Sequence, residues 1–357
     1  MTGETDTDND RRIVESLLAW YRRERAALPW RDDPTPWRVL VSELMLQQTT
    51  VKAVIPYFER FLDRFPEPAA LAAAGENEVL ALWSGLGYYR RARMLHAAAG
   101  RIEEDHGGRV PDDAALLREL PGVGEYTTAA VGSIAFGLPL AVVDGNVERV
   151  MARLFALPGG KDDSRFRRRV REAADRLLPE TAPGDFNQAV MELGRVVCTP
   201  RSPRCLVCPL AKPCVSRRRG DAERRPRPPA RKAVRNVTHR AAYVVRAGRV
   251  LLTRRPEGGR MAGMLELPTC PSDAIEGLRS LLTGLGFEAE VGEIVTTVRH
   301  SILSERITLR VHRVELTRTR RRRRGDSWRF ATRTERSAMP LTTATSKALN
   351  SIGELTT

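Results

Sequence analysis

The sequence predicts two folded units in series, a mostly α-helical one followed by a smaller α+β one. Three observations carry this reading. Apolar residues recur at helical spacing through residues 11–215, with Gly and Pro as punctuation. Four cysteines close that stretch, Cys198, Cys205, Cys208 and Cys214, spaced C-x6-C-x2-C-x5-C. Beyond an Arg- and Pro-rich segment the pattern turns to short β-rich runs.

Residues 1–10, MTGETDTDND, are acidic and polar. They read as a disordered N-terminus and not as a signal peptide, which points to the reducing cytoplasm (the nucleoid, if the source is bacterial). From residue 11 the stripe Leu17, Leu18, Trp20 and Tyr21 opens the helical unit, and similar stripes recur at Leu80–Leu86 and Val147–Leu157. Pro34–Pro36, Pro66–Pro68, Gly107–Gly108, Pro121–Gly122 and Pro158–Gly160 separate them. Residues 216–236 hold almost nothing apolar and read as an extended, solvated linker. Residues 237–357 form the second domain. There AAYVVRAGRVLLTRR gives two β runs joined by Ala247-Gly248, a hairpin signal, and 294–316 gives two more. The arginine run at 318–326 reads as a solvated hairpin loop.

The chain has 357 residues, 42% of them hydrophobic, enough for two ordinary cores. A net charge of +15 points to a polyanionic partner, with nucleic acid ahead of an anionic membrane surface. No apolar run reaches the length of a membrane span. The chain is expected to act as a monomer.

Four thiols within seventeen residues suit one metal centre better than an apolar core. Thiolates serve both a [4Fe-4S] cluster and a structural zinc ion, so sulfur alone does not choose. The spacing does depart from the repeated C-x2-C of zinc ribbons. Cys270, far away, reads as a lone structural thiol.

LPGVGEYTTAAVGSIAFG, Leu120–Gly137, has a Gly-x-Gly turn ahead of a small-residue helix. Without a Cβ, Gly122 and Gly124 let the backbone turn tightly and approach a ligand. The amides of Gly122, Val123 and Gly124 then stand at a helix N-terminus, where they can hold a DNA phosphate. About twenty residues on, VVDGNVERV sets Asp144 just ahead of another helix.

L-P-G-V-G followed by V-D-x-x-V-x-R resembles the helix-hairpin-helix DNA glycosylases, and the cysteine spacing resembles their iron–sulfur branch. LPWR at 28–31, VSELMLQQTTVKAVIPYFERFLDRFP at 41–66, LWSGLGYYRRARMLH at 82–96 and FNQAVMELG at 186–194 narrow the resemblance to the MutY adenine glycosylases. It implies a helix-hairpin-helix glycosylase domain over 11–215, a [4Fe-4S] cluster in the 198–214 loop, and duplex DNA carrying adenine opposite 8-oxoguanine or guanine as the partner.

The resemblance also implies roles. Glu43, flanked by Val41, Leu44 and Met45, would stay protonated near neutrality, protonate adenine at N7 and then activate water. Asp144 would stay ionised and stabilise the cationic sugar, besides capping its helix. Tyr126 and Asn146 match supporting positions at the reaction centre. Trp30, Arg31 and Gln188 match the adenine pocket. Gln48 and Tyr88 match residues that enter the duplex near the partner guanine. Lyase-active relatives carry a Schiff-base lysine where this chain has Tyr126, and a phenol cannot form an imine, so the expected enzyme is monofunctional. Arg201, Arg204 and Lys212 give the cysteine loop a basic edge.

In the second domain GMLELP at 263–268 resembles the opening of a Nudix motif. Ser280, Thr283 and Gly284 stand where Nudix hydrolases place metal-binding glutamates, so no pyrophosphohydrolase activity is expected. The Phe-Ser-His loop by which MutY proteins sense 8-oxoguanine aligns with Val298-Arg299-His300, making His300 the candidate lesion-sensing residue.

Overall fold

The computed structural model describes residues 6–228, 233–256, 258–259, 261–302, 304–319, 327–337 and 339–354. It divides into two compact units, Met1–Ala73 with Met94–Ala230 and Ala74–Arg93 with Arg231–Thr357. The helical-then-α+β expectation holds.

The first unit begins with α1 (Asp6–Glu24), α2 (Pro29–Asp32), α3 (Pro36–Leu46), α4 (Val51–Arg64) and α5 (Pro68–Ala72). Next come α6 (Glu76–Leu82), which groups with the second unit, and α7 (Arg90–His106), which bridges the division. The first unit then continues with α8 (Ala114–Glu119), α9 (Glu125–Phe136), α10 (Gly145–Leu154), α11 (Ser164–Leu177), α12 (Pro183–Val196) and α13 (Val215–Arg219). Pro36 starts α3 at a position that needs no amide donor, and Thr35 Oγ1 accepts from the Arg38 amide. Residues Trp37 to Met45 of α3 are nearly all buried, Glu43 among them.

Helix α12 packs against α1, α9 and α10, and two glycines allow it. A Cβ on Gly184 would stand 2.5 Å from the Ser133 carbonyl oxygen of α9. One on Gly194 would stand 2.6 Å from Asn146 Cβ in the first turn of α10. Leu17, Tyr21, Val150, Phe166, Val170, Phe186 and Leu193 fill the core between α1, α10, α11 and α12.

Two expectations about this unit are corrected. Helix α1 starts at Asp6, inside the stretch read as disordered; Asp8 pairs with Arg11 at 2.9 Å and Asp10 with Arg176 at 3.0 Å. Acidic residues favour a helix N-terminus, and the α11 arginine ties this one down. The first part of the supposed linker is also not a free tether. Arg225 donates to the carbonyls of Ala156 and Leu157, its own carbonyl accepts from Arg153, and the Arg227 amide donates to Gly159. Residues 215–228 are therefore strapped to the helical unit. Arginine reads as solvated in sequence, yet its five donors can also cap backbone carbonyls.

In the second unit β1 (Arg235–Tyr243), β2 (Val245–Arg246), β3 (Arg249–Arg254), β4 (Leu265–Glu266) and β5 (Thr269–Cys270) precede α14 (Ile275–Gly284). The long strands β6 (Phe287–Ile302) and β7 (Glu305–Thr319), then β8 (Trp328–Ala331), α15 (Arg333–Ser337) and α16 (Thr343–Ser351), complete it. One sheet has the order β5-β1-β7-β6, with β1 and β7 parallel; β3 pairs with β2, β4 and β8 in the other. Ala241, Tyr243 and Leu252 pack on the α16 side, Ala242, Val244 and Leu251 on the α14 side. The pleat explains this: neighbours along a strand face opposite ways, and both faces are covered. Ala247 and Gly248 have φ 49° and 69°, as the hairpin signal requires.

Val298, Arg299 and His300 do not form a loop. They lie in β6, paired with Leu309, Thr308 and Ile307 of β7. The alternation of β6 continues through them and overrides the alignment. Helix α14 carries Ser280, Thr283 and Gly284, as read, and Cys270 sits partly buried against its core. Of the arginine run at 318–326, Arg318 and Thr319 end β7, and the rest lies outside the described residues.

Candidate active site

A cavity of about 460 Å³ opens in the helical unit, within the about 300–1,000 Å³ of small-molecule sites. Trp30, Arg31, Glu43, Tyr126, Asp144, Asn146 and Gln188 all line it. Five helices or helix ends thus converge: α2 brings Trp30 and Arg31, α3 Glu43, α9 Tyr126, the start of α10 Asp144 and Asn146, and α12 Gln188.

Glu43 is only 5% exposed. Tyr126 Oη donates to its Oε2 at 2.8 Å. Burial raises the carboxyl from its ordinary 4.5 to about 7, the charge of Asp144 adds to the rise, and the Tyr126 hydrogen bond and Arg31 oppose it. Desolvation wins, so a protonated carboxylic acid is available at neutral pH. Burial and the Glu43 charge drive the Tyr126 phenol well above 10, so it acts as a neutral donor.

Asp144 is the N-cap of α10. Its Oδ1 accepts from the amides of Asn146 (2.8 Å) and Val147 (2.7 Å), and its Oδ2 from Asn146 Nδ2 (2.7 Å). Asn146 Oδ1 accepts in turn from Arg149, whose guanidinium also reaches the carbonyls of Gly194 (2.7 Å) and Cys198 (2.7 Å). Arg153, one turn further on, donates to the carbonyls of Thr199 and Pro200 and approaches Cys198 Sγ at 3.4 Å. A chain of hydrogen bonds runs from the Asp144 carboxylate to the cysteine loop.

Arg31 donates to Gln188 Oε1 (3.1 Å) and to Glu192 Oε2 (3.2 Å). Burial would raise Glu192, but Arg195 and Arg31 outweigh it and hold its carboxyl below the usual range. Glu192 and Arg149 lie within the motifs quoted above, but the sequence assigned neither a role. A signal for the first was there: Gln188 and Glu192 are one helical turn apart and share a face.

The other expected residues fall into three groups. Gln48 and Tyr88 are exposed and have φ 57° and 50°; such a backbone in a residue other than glycine is uncommon and collects at functional sites. Tyr89, in contrast, is packed at 3% exposure. Gly122 has φ 81° and sits against Met94, so that position needs glycine, and Gly124 caps α9 with open space where a Cβ would stand. The Val123 amide is a correction: it donates to the Leu120 carbonyl at 3.0 Å and is not available to a phosphate. His300 is half-buried, its Nδ1 has no partner among the described residues, and burial with His239 and Lys347 lowers its pKa.

Cys198, Cys205, Cys208 and Cys214 line one small cavity with Arg153 and Ala222. Burial, with the charges of the other three thiols, pushes the Cys208 thiol up to about 12. Among the described residues, no three such side chains come close enough to share a single metal ion. Four thiols around one space are a donor set that suits an iron–sulfur cluster or a tetrahedral zinc ion. Arg201, Arg204 and Lys212 are exposed on this loop. No helix of the described residues is long and apolar enough to cross a membrane.

Known proteins resemble this chain in both of its units. Residues 41–176 match the HhH-GPD superfamily base excision DNA repair proteins, and residues 240–351 match the NUDIX domain. The human adenine DNA glycosylase is 34% identical over 82% of this chain and 65% of its own. That of Mycobacterium tuberculosis is 48% identical over 55% of this chain and 64% of its own. The chain thus spans less than two thirds of either relative. A thermostable thymine-DNA glycosylase superposes with a TM-score of 0.54 at 29% identity, covering 60% of this chain and all of that one. A trapped endonuclease III–DNA covalent intermediate gives 0.52 at 26%, covering 61% and 99%.

The raised Glu43 carboxyl has a consequence for stability. Above an ordinary value of 4.5 the unfolded chain gives up this proton readily, while the folded chain keeps it to about 7. The resulting destabilisation is absent in acid, grows between those values and is complete above them, at roughly 3 kcal/mol. Glu43→Gln is therefore expected to raise the urea midpoint at about pH 8 and to leave it unchanged at about pH 4. An equal effect at both would contradict the raised value.

Proposed function

We propose, from the premise that the chain belongs to the adenine DNA glycosylase branch of the HhH-GPD superfamily base excision DNA repair proteins, that it hydrolyses the N-glycosidic bond of adenine opposite 8-oxoguanine or guanine in duplex DNA. The observation that carries the reading is the pairing, in one cavity, of a buried Glu43, whose carboxyl burial raises to about 7, with the Asp144 carboxyl anchored at a helix N-terminus.

In this reading the adenine is turned out of the stack into the cavity. Trp30, Arg31 and Gln188 border the base, and Glu192 holds the Arg31 fork. Glu43 gives its proton to N7. The C1′–N9 bond breaks with its electron pair leaving on adenine, and the sugar becomes an oxocarbenium ion. Asp144 supplies the opposing charge. Water adds to C1′ and its proton returns to the Glu43 carboxylate, which restores the acid. Tyr126 steadies Glu43, and Asn146 fixes Asp144. The division of labour between a neutral and a charged carboxyl parallels that of glycosidases.

Gln48 and Tyr88 enter the duplex, and Gly122, Gly124 and the basic cysteine loop hold phosphates. The second unit, with His300, attends to the partner base. The four cysteines hold a [4Fe-4S] cluster, which would shape the loop they sit on; deglycosylation itself moves no electron. The enzyme works as a monomer in a compartment that keeps thiols reduced.

The reading is tested with duplexes carrying A:8-oxoG, A:G, A:T and thymine glycol, with and without alkali. Adenine release from the first two, with strand breaks only after alkali, is expected. Breaks without alkali would assign an amine nucleophile, for which Lys52, which lines the cavity, is the candidate. Activity on thymine glycol alone would replace the reading with that of an oxidised-pyrimidine enzyme. Glu43→Gln and Asp144→Asn should each slow single-turnover adenine release by about a hundredfold or more while still binding DNA.

The cluster has its own test. The purified protein should contain iron and acid-labile sulfide in equal amounts, and Cys205→Ser should lose both together with duplex affinity. Stoichiometric zinc with no sulfide would overturn the cluster assignment.

A further inference from the structure

The turn that carries Tyr88 is held by an arginine that neither the reaction nor the substrate requires. Tyr88 is 50% exposed and has φ 50°, a conformation a bulky side chain does not keep without support. Gly85 and Gly87 on its N-terminal side also have positive φ, at 97° and 79°. Left alone, such a turn would sample many conformations.

Arg91 supplies the support. It is buried, and its guanidinium lies 5.6 Å from the ring centre of the fully buried Trp83 and 5.3 Å from that of Tyr88. Its Nη2 donates to the Gly87 carbonyl at 3.0 Å, which also accepts from Trp83 Nε1 at 3.1 Å. Its own amide donates to the Tyr88 carbonyl at 2.8 Å. One side chain thus joins a rigid indole, the peptide before Tyr88 and the Tyr88 ring. Burial lowers its pKa to about 10, which leaves it cationic at neutral pH.

We infer that Arg91 is a positioning residue that pre-forms Tyr88 for insertion into the base stack, so that the duplex meets an aromatic wedge already fixed in place. This rests on the proposed role of Tyr88. Fixing a side chain before binding removes the ordering cost from the complex. Lysine cannot substitute, because it lacks the planar fork that stacks and hydrogen-bonds at once.

The test is a double-mutant cycle with Arg91→Met, Arg91→Lys and Tyr88→Leu. The readouts are affinity for a duplex with a non-hydrolysable 2′-fluoro adenosine analogue opposite guanine, and the fluorescence of 2-aminopurine placed beside that guanine. Wild-type protein should unstack the probe and brighten it. Arg91→Met and Arg91→Lys should each weaken binding about five- to tenfold and dim the probe, with thermal unfolding of the Lys variant unchanged. In the Tyr88→Leu background the same changes should alter affinity by less than about twofold. Full losses in that background, or Arg91 variants that bind and brighten like wild type, would overturn the inference. If Tyr88→Leu alone behaves as wild type, the proposed role of Tyr88 fails, and this inference with it.

Discussion

The site depends on keeping a proton on a carboxyl that has been taken out of water. Glu43 sits on a helix whose other residues are nearly all buried, and among the described residues nothing forms an ion pair with it directly. Two influences favour its charged form, the hydrogen bond from Tyr126 and the more distant Arg31. Desolvation, aided by the charge of Asp144, exceeds both, and the carboxyl stays protonated to about 7. A full counter-ion in the place of Tyr126 would lower the carboxyl and remove the acid. The phenol supplies orientation without a charge.

The opposing carboxylate is built on another principle. Asp144 is fixed by two amides and the Asn146 side chain, and Asn146 is fixed in turn by Arg149. Arg149 also binds the Cys198 carbonyl, so the first turn of α10 and the cysteine loop share one guanidinium. Gly194 allows this closeness, since any side chain there would meet Asn146. The cysteine loop therefore acts on the cavity through position. The strap that follows it is pinned to the carbonyls of Ala156, Leu157 and Gly159 by Arg225 and Arg227.

Much of this was legible in the chain because it is local. The cysteine spacing, the apolar neighbours of Glu43, the Asp144 cap and the Ala247-Gly248 turn are each written within a few residues. What was not legible depends on the third dimension. Arg225 looks solvated until the carbonyls it caps are in view. The same holds for Glu192, whose partner Arg31 lies far away in sequence, and for Arg149. The Val123 amide is lost to a turn hydrogen bond that the Gly-x-Gly pattern does not reveal. Val298–His300 aligned with a loop, but the strand continued because its alternation fits the sheet. The grouping of residues 74–93 with the second unit has no signature in composition at all.

The most direct test of the acid is a carbon-13 NMR titration of glutamate side-chain carboxyls, with Glu43 assigned by its absence in Glu43→Gln. One resonance should titrate at about 7, and Tyr126→Phe, which removes the opposing hydrogen bond, should move it higher. A Glu43 resonance that titrates with the other glutamates near 4.5 would contradict the account.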